Sequence, residues 1–341
     1  MNSISRRGIL AGFGAAALLP HFASAQAARS PRRIDVHHHI LPPRYLERVR
    51  ASIVAGSPYG NQVVKWTPAA SLQQMDQWGI ATAILSNTGI WRDFSAADAR
   101  ALVRDSNEFA AKMRADHPGR FGIFAAVPMP NLDDALKEID YAYSVLKVDG
   151  VQLSTSYGDK WPGDPAFDPL FEELNRRKAA VFIHPTAPGC CGRLVPGIPA
   201  PTIEFMFDVT RCITSLLFHG AFTRFADIRF IFTHDGGALP MLADRITRNA
   251  TVVKSTGIAS QQAALDQLKR LHYDITTSTS RPSLSGATSL IPVSQLLFGS
   301  DFPYLPPSAT ALGLEAFGFK PAELAAIDRG NAEKLFPRLR S

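Results

Sequence analysis

From Arg32 onward, short apolar runs of strand length alternate with segments of helical period. The runs are Ile34–His38, Thr82–Ser86, Phe121–Val127, Gly150–Leu153, Ala180–His184, Ile228–Thr233, Leu271–Ile275 and Gln295–Ser300. Between them lie amphipathic stretches such as Ala96–Ala115, Leu132–Leu146, Pro169–Arg177 and Ile203–Phe218. In the second of these, Ala135, Ile139, Tyr143 and Leu146 share one helical face. Strand then helix, repeated, implies a parallel sheet covered by helices, because parallel neighbours need a crossover. Eight such units in 341 residues predict a (β/α)8 TIM barrel over residues 32–338. An open doubly wound sheet would show the same alternation, but no glycine-rich loop follows an early strand.

Several runs end in polar residues. The first closes on His37, His38 and His39, and side chains alternate along a strand, so His37 and His39 point one way and His38 the other. Two imidazoles on one side of a strand end can bind a divalent ion or can simply be packed or solvated. The fifth run ends at His184, the sixth at His234 with Asp235, and the eighth at Asp301. A barrel brings the carboxyl ends of its strands to one axis. Three imidazoles and one carboxylate would then form a nitrogen and oxygen site suited to one divalent metal, zinc first, with manganese, iron or cobalt as alternatives. Long irregular stretches at Ala51–Pro68 and Thr186–Pro201 follow strands and should sit on that same face.

Residues 1–27 read differently. Arg6 and Arg7 precede an apolar stretch over residues 11–19, and small residues recur at Ala23, Ala25 and Ala27. This is the layout of a twin-arginine-type signal, which implies an exported, periplasmic protein; the other reading is an uncleaved disordered tail. The stretch is too short for a membrane-spanning helix, so no stable membrane insertion is expected. Of the net charge of +6, Arg6 and Arg7 contribute two, and no long Lys/Arg run remains to suggest a nucleic-acid partner. With 46% hydrophobic residues a chain this long buries its own core without a disulfide framework. The cysteines are Cys190, Cys191 and Cys212. Adjacent cysteines rarely pair, so free thiols are expected, or a bridge from Cys212 to one of the pair after export.

Taken together, residues 35–43, 75–80, 117–122, 181–186, 234–245, 297–304 and 330–333 resemble the amidohydrolase superfamily. The resemblance is strongest to the branch containing aminocarboxymuconate semialdehyde, resorcylate and 6-methylsalicylate decarboxylases. It implies that His37, His39, His184 and Asp301 are metal ligands and that Asp301 can also handle a proton. His234 matches an acid/base or substrate-polarising histidine, or else supports the ligands. Arg245 matches an arginine that grips a substrate carboxylate across a homodimer interface, or is a solvated helix residue. Arg211 could also meet a carboxylate or pair with Asp208 along its helix. Asp235 departs from the glycine or alanine usual in relatives and could shift the basicity of His234. Asp35 is read as ordering its strand end, and His38 as packed between barrel and helices.

The reaction implied is decarboxylation of a small aromatic or enol-type carboxylic acid such as a hydroxybenzoate. Trp66, Trp91, Phe205 and Phe207 are candidates for an apolar wall around its ring, or for core. The alternative is hydrolysis of a lactone, ester or amide at the same site, with His234 or Asp301 as base. A third reading is a ligand- or metal-binding protein on a barrel without activity.

Overall fold

The computed structural model describes residues 32–89, 94–191 and 194–340. Eight parallel strands follow one another around a sheet in sequence order. They are β1 (Arg33–His39), β2 (Ile80–Ser86), β3 (Phe121–Ala125), β4 (Gly150–Ser154), β5 (Ala180–His184), β6 (Arg229–Phe232), β7 (His272–Asp274) and β8 (Leu296–Leu297). Each neighbour pair from β1–β2 to β7–β8 is parallel, with a helical crossover between consecutive strands. The chain beyond β8 closes the ring against β1: Val36 N donates to Phe298 O at 3.0 Å, Asp301 N to His37 O at 2.8 Å and His39 N to Phe302 O at 2.7 Å. This is the expected (β/α)8 barrel. The twin-arginine-type signal expected over residues 1–27 falls outside the described residues.

The helices follow from local signals. Thr67, Ser95 and Asn131 cap the Pro68–Trp78, Ala96–Asp116 and Leu132–Ser144 helices, each accepting a backbone N–H three residues on. Gly79, at φ 64, ends the first of these. One sequence expectation needs correction. The Pro43–Gly56 helix runs through the first third of the supposed Ala51–Pro68 loop, because Tyr45, Val49 and Ile53 continue one buried stripe. Of the Thr186–Pro201 stretch, residues 186–191 and 194–199 are irregular as expected, and the Ala200–Phe218 helix begins within its last two residues.

Inside the barrel an apolar column rises from the bottom. Ile34, Val36, Ile84, Phe124, Phe182, Ile231 and Leu297 pack with Ala332, Leu335, Phe336 and Leu339 of the C-terminal segment, which plugs that end. Phe336 meets Phe124 edge-on at 5.7 Å, Phe124 stacks on Phe182 at 5.1 Å, and Phe182 presents its ring to His37 at 5.1 Å. The underside of the histidine cluster is therefore dry. Among the described residues no helix is long and apolar enough to cross a membrane.

Candidate metal centre

β1 does not alternate strictly. Its register against β2 shifts between Asp35 and His38, the mark of a bulge. The shift puts Asp35 beside His38, Oδ2 to Nδ1 at 3.0 Å, whereas His37 and His39 project together over Phe182 and His184. His38 is buried against the helices, its Nε2 2.9 Å from Ser71 Oγ. Asp35 accepts from His37 N (3.0 Å), Ser300 N (2.9 Å) and Ser300 Oγ (2.6 Å), so one buried carboxylate fastens the end of β1 to the segment after β8.

The structure brings His37, His39, His184 and Asp301 together, with one ligand atom from each within 4.8 Å of all the others. His37 Nε2 lies 3.1 Å from His39 Nε2, and Asp301 Oδ1 lies 3.4 Å and 3.1 Å from those two nitrogens. The His184 ring is 5.2 Å and 4.7 Å from the His37 and His39 rings. His37 Nδ1 donates to Asp274 Oδ2 at 3.0 Å and His39 Nδ1 meets Ser86 Oγ at 3.0 Å, so both present Nε2 to the cluster. Lone pairs and a carboxylate oxygen this close repel unless a positive charge lies among them. The donor set fits a single divalent metal ion.

Without such an ion the cluster holds a proton. Burial lowers the basicity of His37, but the Asp274 and Asp301 carboxylates outweigh it and raise the imidazole to about 10. Burial would raise Asp301, yet His37 and His39 hold it well below the carboxylate range. Burial and the neighbouring imidazoles keep His184 neutral, and burial does the same for His39 against the pull of Asp301.

His234 stands beside this group, its ring 5.3 Å from that of His37. Its Nδ1 is 3.0 Å from the Thr276 carbonyl, which can only accept, so Nδ1 carries the hydrogen and Nε2 is bare. Burial, followed by the charge of His37, lowers its basicity. The backbone here is strained: His234, Asp235, Thr277 and Asp301 all have φ between 49° and 62°. The Asp235 carboxyl is raised by burial and held by Ser278, and the His234 backbone N–H is taken by Asp274 Oδ1 at 3.1 Å.

A cavity of about 970 Å³ opens onto His184, His234, Thr277, Asp301 and Tyr304. Phe205 lines it, 6.5 Å from the His184 ring. Trp66 and Phe207 do not. Trp66 is buried, its indole donating to Ser71 Oγ at 2.9 Å, and Phe207 is exposed on the outer side of its helix. Trp91 lies outside the described residues. Arg211 is not on the cavity wall; it sits 3.9 Å from Asp208, which is buried and accepts from Thr155, Ser156 and Trp161. Arg245 is exposed on the Leu239–Val252 helix and does not line the cavity of its own chain.

The cysteines correct the sequence reading. Cys190 and Cys191 are joined to each other in the turn of the loop after β5, and Cys212 is free, buried in the core on the Ala200–Phe218 helix and so closed to either of them. The residue the sequence reading does not single out is Asp274. It lies inside the Leu271–Ile275 run, at the end of β7, and a carboxylate within an otherwise strand-like run was the available signal.

A family model described as "Amidohydrolase" matches residues 34–338. The chain is similar to the decarboxylase yanB of Aspergillus niger, with 37% identity across 90% of this chain and 88% of that one. It is similar to the 6-methylsalicylic acid decarboxylase of Penicillium expansum, with 33% identity across 90% of this chain and 97% of the relative. Its fold matches the crystal structure of a dihydroxybenzoic acid decarboxylase from Polaromonas with bound manganese and 2-nitroresorcinol. That match has a TM-score of 0.80 and 21% identity over 91% of this chain and 98% of the other.

Proposed function

This chain belongs to the amidohydrolase family, and on that basis we propose that it is a metal-dependent decarboxylase of a hydroxybenzoate-type carboxylic acid. The observation that carries the reading is the convergence of His37, His39, His184 and Asp301 on one point at the floor of a largely apolar cavity. Support for the reaction comes from relatives named as decarboxylases, one of them of 6-methylsalicylic acid. We assign zinc to the site on its three imidazoles and one carboxylate, with manganese, present in the Polaromonas structure, as the alternative. When bound, the ion supplies a positive centre that orients the carboxylate and a neighbouring oxygen of the substrate and stabilises charge developing on that oxygen.

The protein's own groups have separable tasks. Asp301 lines the cavity, with its Oδ1 against His37 and His39. It is placed to pass a proton taken up from solvent to the ring carbon bearing the carboxylate. Once that carbon is protonated, the bond to the carboxylate breaks, its electron pair returns to the ring, and carbon dioxide leaves. His234 offers a bare Nε2 to a substrate hydroxyl and accepts its hydrogen bond. Phe205 and Met206 give the ring an apolar surface on one side. The phenylalanine column beneath keeps water from the underside. Incubating metal-loaded protein with salicylate-type acids is expected to release carbon dioxide in step with loss of the acid. Turnover of lactones or esters with no carbon dioxide from any hydroxybenzoate would overturn the proposal.

A further inference from the structure

We infer that the outer part of the active cavity is a subsite for an apolar substituent, so that the substrate is an aromatic acid carrying an alkyl chain or a second apolar ring. The inference rests on the decarboxylase reading and extends it to the substrate class. A volume of about 970 Å³ lies at the top of the ~300–1,000 Å³ that encloses a drug-sized ligand, and a single-ring acid would leave most of it to water. The histidines and the carboxylate of the lining gather at His184, His234 and Asp301. Much of the remaining wall comes from residues 52–59, around the end of the Pro43–Gly56 helix, and residues 195–202, where the loop after β5 runs into the Ala200–Phe218 helix. These outer segments add only the hydroxyls of Ser52, Ser57, Tyr59 and Thr202. Neither segment contains a charged residue.

Three side chains there are exposed although apolar: Tyr59 at 50%, Val195 at 47% and Ile198 at 40%. All three line the cavity, so water contacts them when it is empty of substrate, and an apolar group would remove that contact. The second segment is built to hold its shape. Pro196, Pro199 and Pro201 restrict its backbone, which lowers the ordering cost of binding. Because the same cavity is continuous from His184 to Ile198, a ring anchored by its carboxylate at the floor carries its substituent into this region.

The test is a series of 6-alkylsalicylates from methyl through longer straight chains. Each added methylene inside the subsite should lower KM about threefold to fourfold while kcat stays level. A Val195→Ser, Ile198→Ser double variant should turn over the methyl compound as before and lose about tenfold of the preference for the long-chain acids. Values of kcat/KM that are flat or falling with chain length in the unaltered protein would overturn the inference, as would a variant that weakens short and long acids equally. No carbon dioxide from any member would instead contradict the decarboxylase reading. Calorimetric affinity for the same acids would then decide the subsite, rising with chain length if it exists and flat if it does not.

Discussion

Between His37 and Asp274 a single hydrogen bond of 3.0 Å decides which ring nitrogen faces the cluster. The carboxylate also accepts from the backbone of His234 and Thr276 at 3.1 Å and 3.0 Å, so one side chain positions both a ligand and the neighbouring histidine. An Asp274→Asn protein should fold, because the amide oxygen can still accept, yet bind its ion about 10- to 100-fold more weakly. Competition with a chelating dye measures this, and an unchanged affinity would show that Asp274 only packs. The same carboxylate, with Asp301, keeps a proton on His37 up to about 10 in the ion-free protein. Raised above its ordinary value, this imidazole stabilises the ion-free fold fully below about 6.5 and loses that contribution as pH climbs through about 10. An incoming cation displaces the proton. Metal uptake near neutral pH should therefore release about one proton and tighten about tenfold per pH unit. Calorimetry in buffers of different ionisation enthalpy reads the proton count, and a count of zero would contradict it. Of these residues, the ligands could be read from the sequence because each follows an apolar run. Asp274 instead lies within its run, β7 is only three residues long, and the residue gains its meaning from partners 237 and 40 positions away.

At the scale of elements, the site depends on how β1 meets the chain after β8. Gly299 lies where a Cβ would come within 2.3 Å of Thr276 Oγ1 and 2.8 Å of the His37 Cβ, so only glycine lets the ring close this tightly. Asp35 then latches Ser300 through two hydrogen bonds. Replacing Asp35 with alanine leaves buried donors on His37, His38 and Ser300 without an acceptor and should cost about 3–5 kcal/mol. Urea unfolding followed by circular dichroism checks this; a loss under about 1 kcal/mol would mean the latch is not structural. The order and number of strands were legible because their periodicity is local. The bulge in β1 was not, since strict alternation places Asp35 on the side of His37 and only pairing with β2 reveals the shift. The Cys190–Cys191 bond was equally hidden, being a property of the turn geometry and not of spacing.

For the whole molecule, the barrel orders its interior by height. The C-terminal plug lies at the bottom, phenylalanines in the middle, the histidine cluster above them and the open cavity at the top. Fold class and site location followed from the repeat, whereas the depth of the cavity and the fate of Arg211 and Arg245 depend on loop and helix packing that no periodicity encodes. Export is argued from residues 1–27 alone. Changing Arg6 and Arg7 to lysine should leave the protein in the cytoplasm, and fractionation showing unchanged export would refute the signal. The barrel should hold one divalent ion per chain, bound by four side chains and required for reaction. Elemental analysis of purified protein by plasma mass spectrometry, run beside a carbon dioxide assay before and after chelation, tests it most directly. The expected result is about one ion per chain, loss of activity with the ion, recovery when it is restored, and no ion in a His37→Ala, His39→Ala protein. Protein free of divalent metal that still releases carbon dioxide would contradict it.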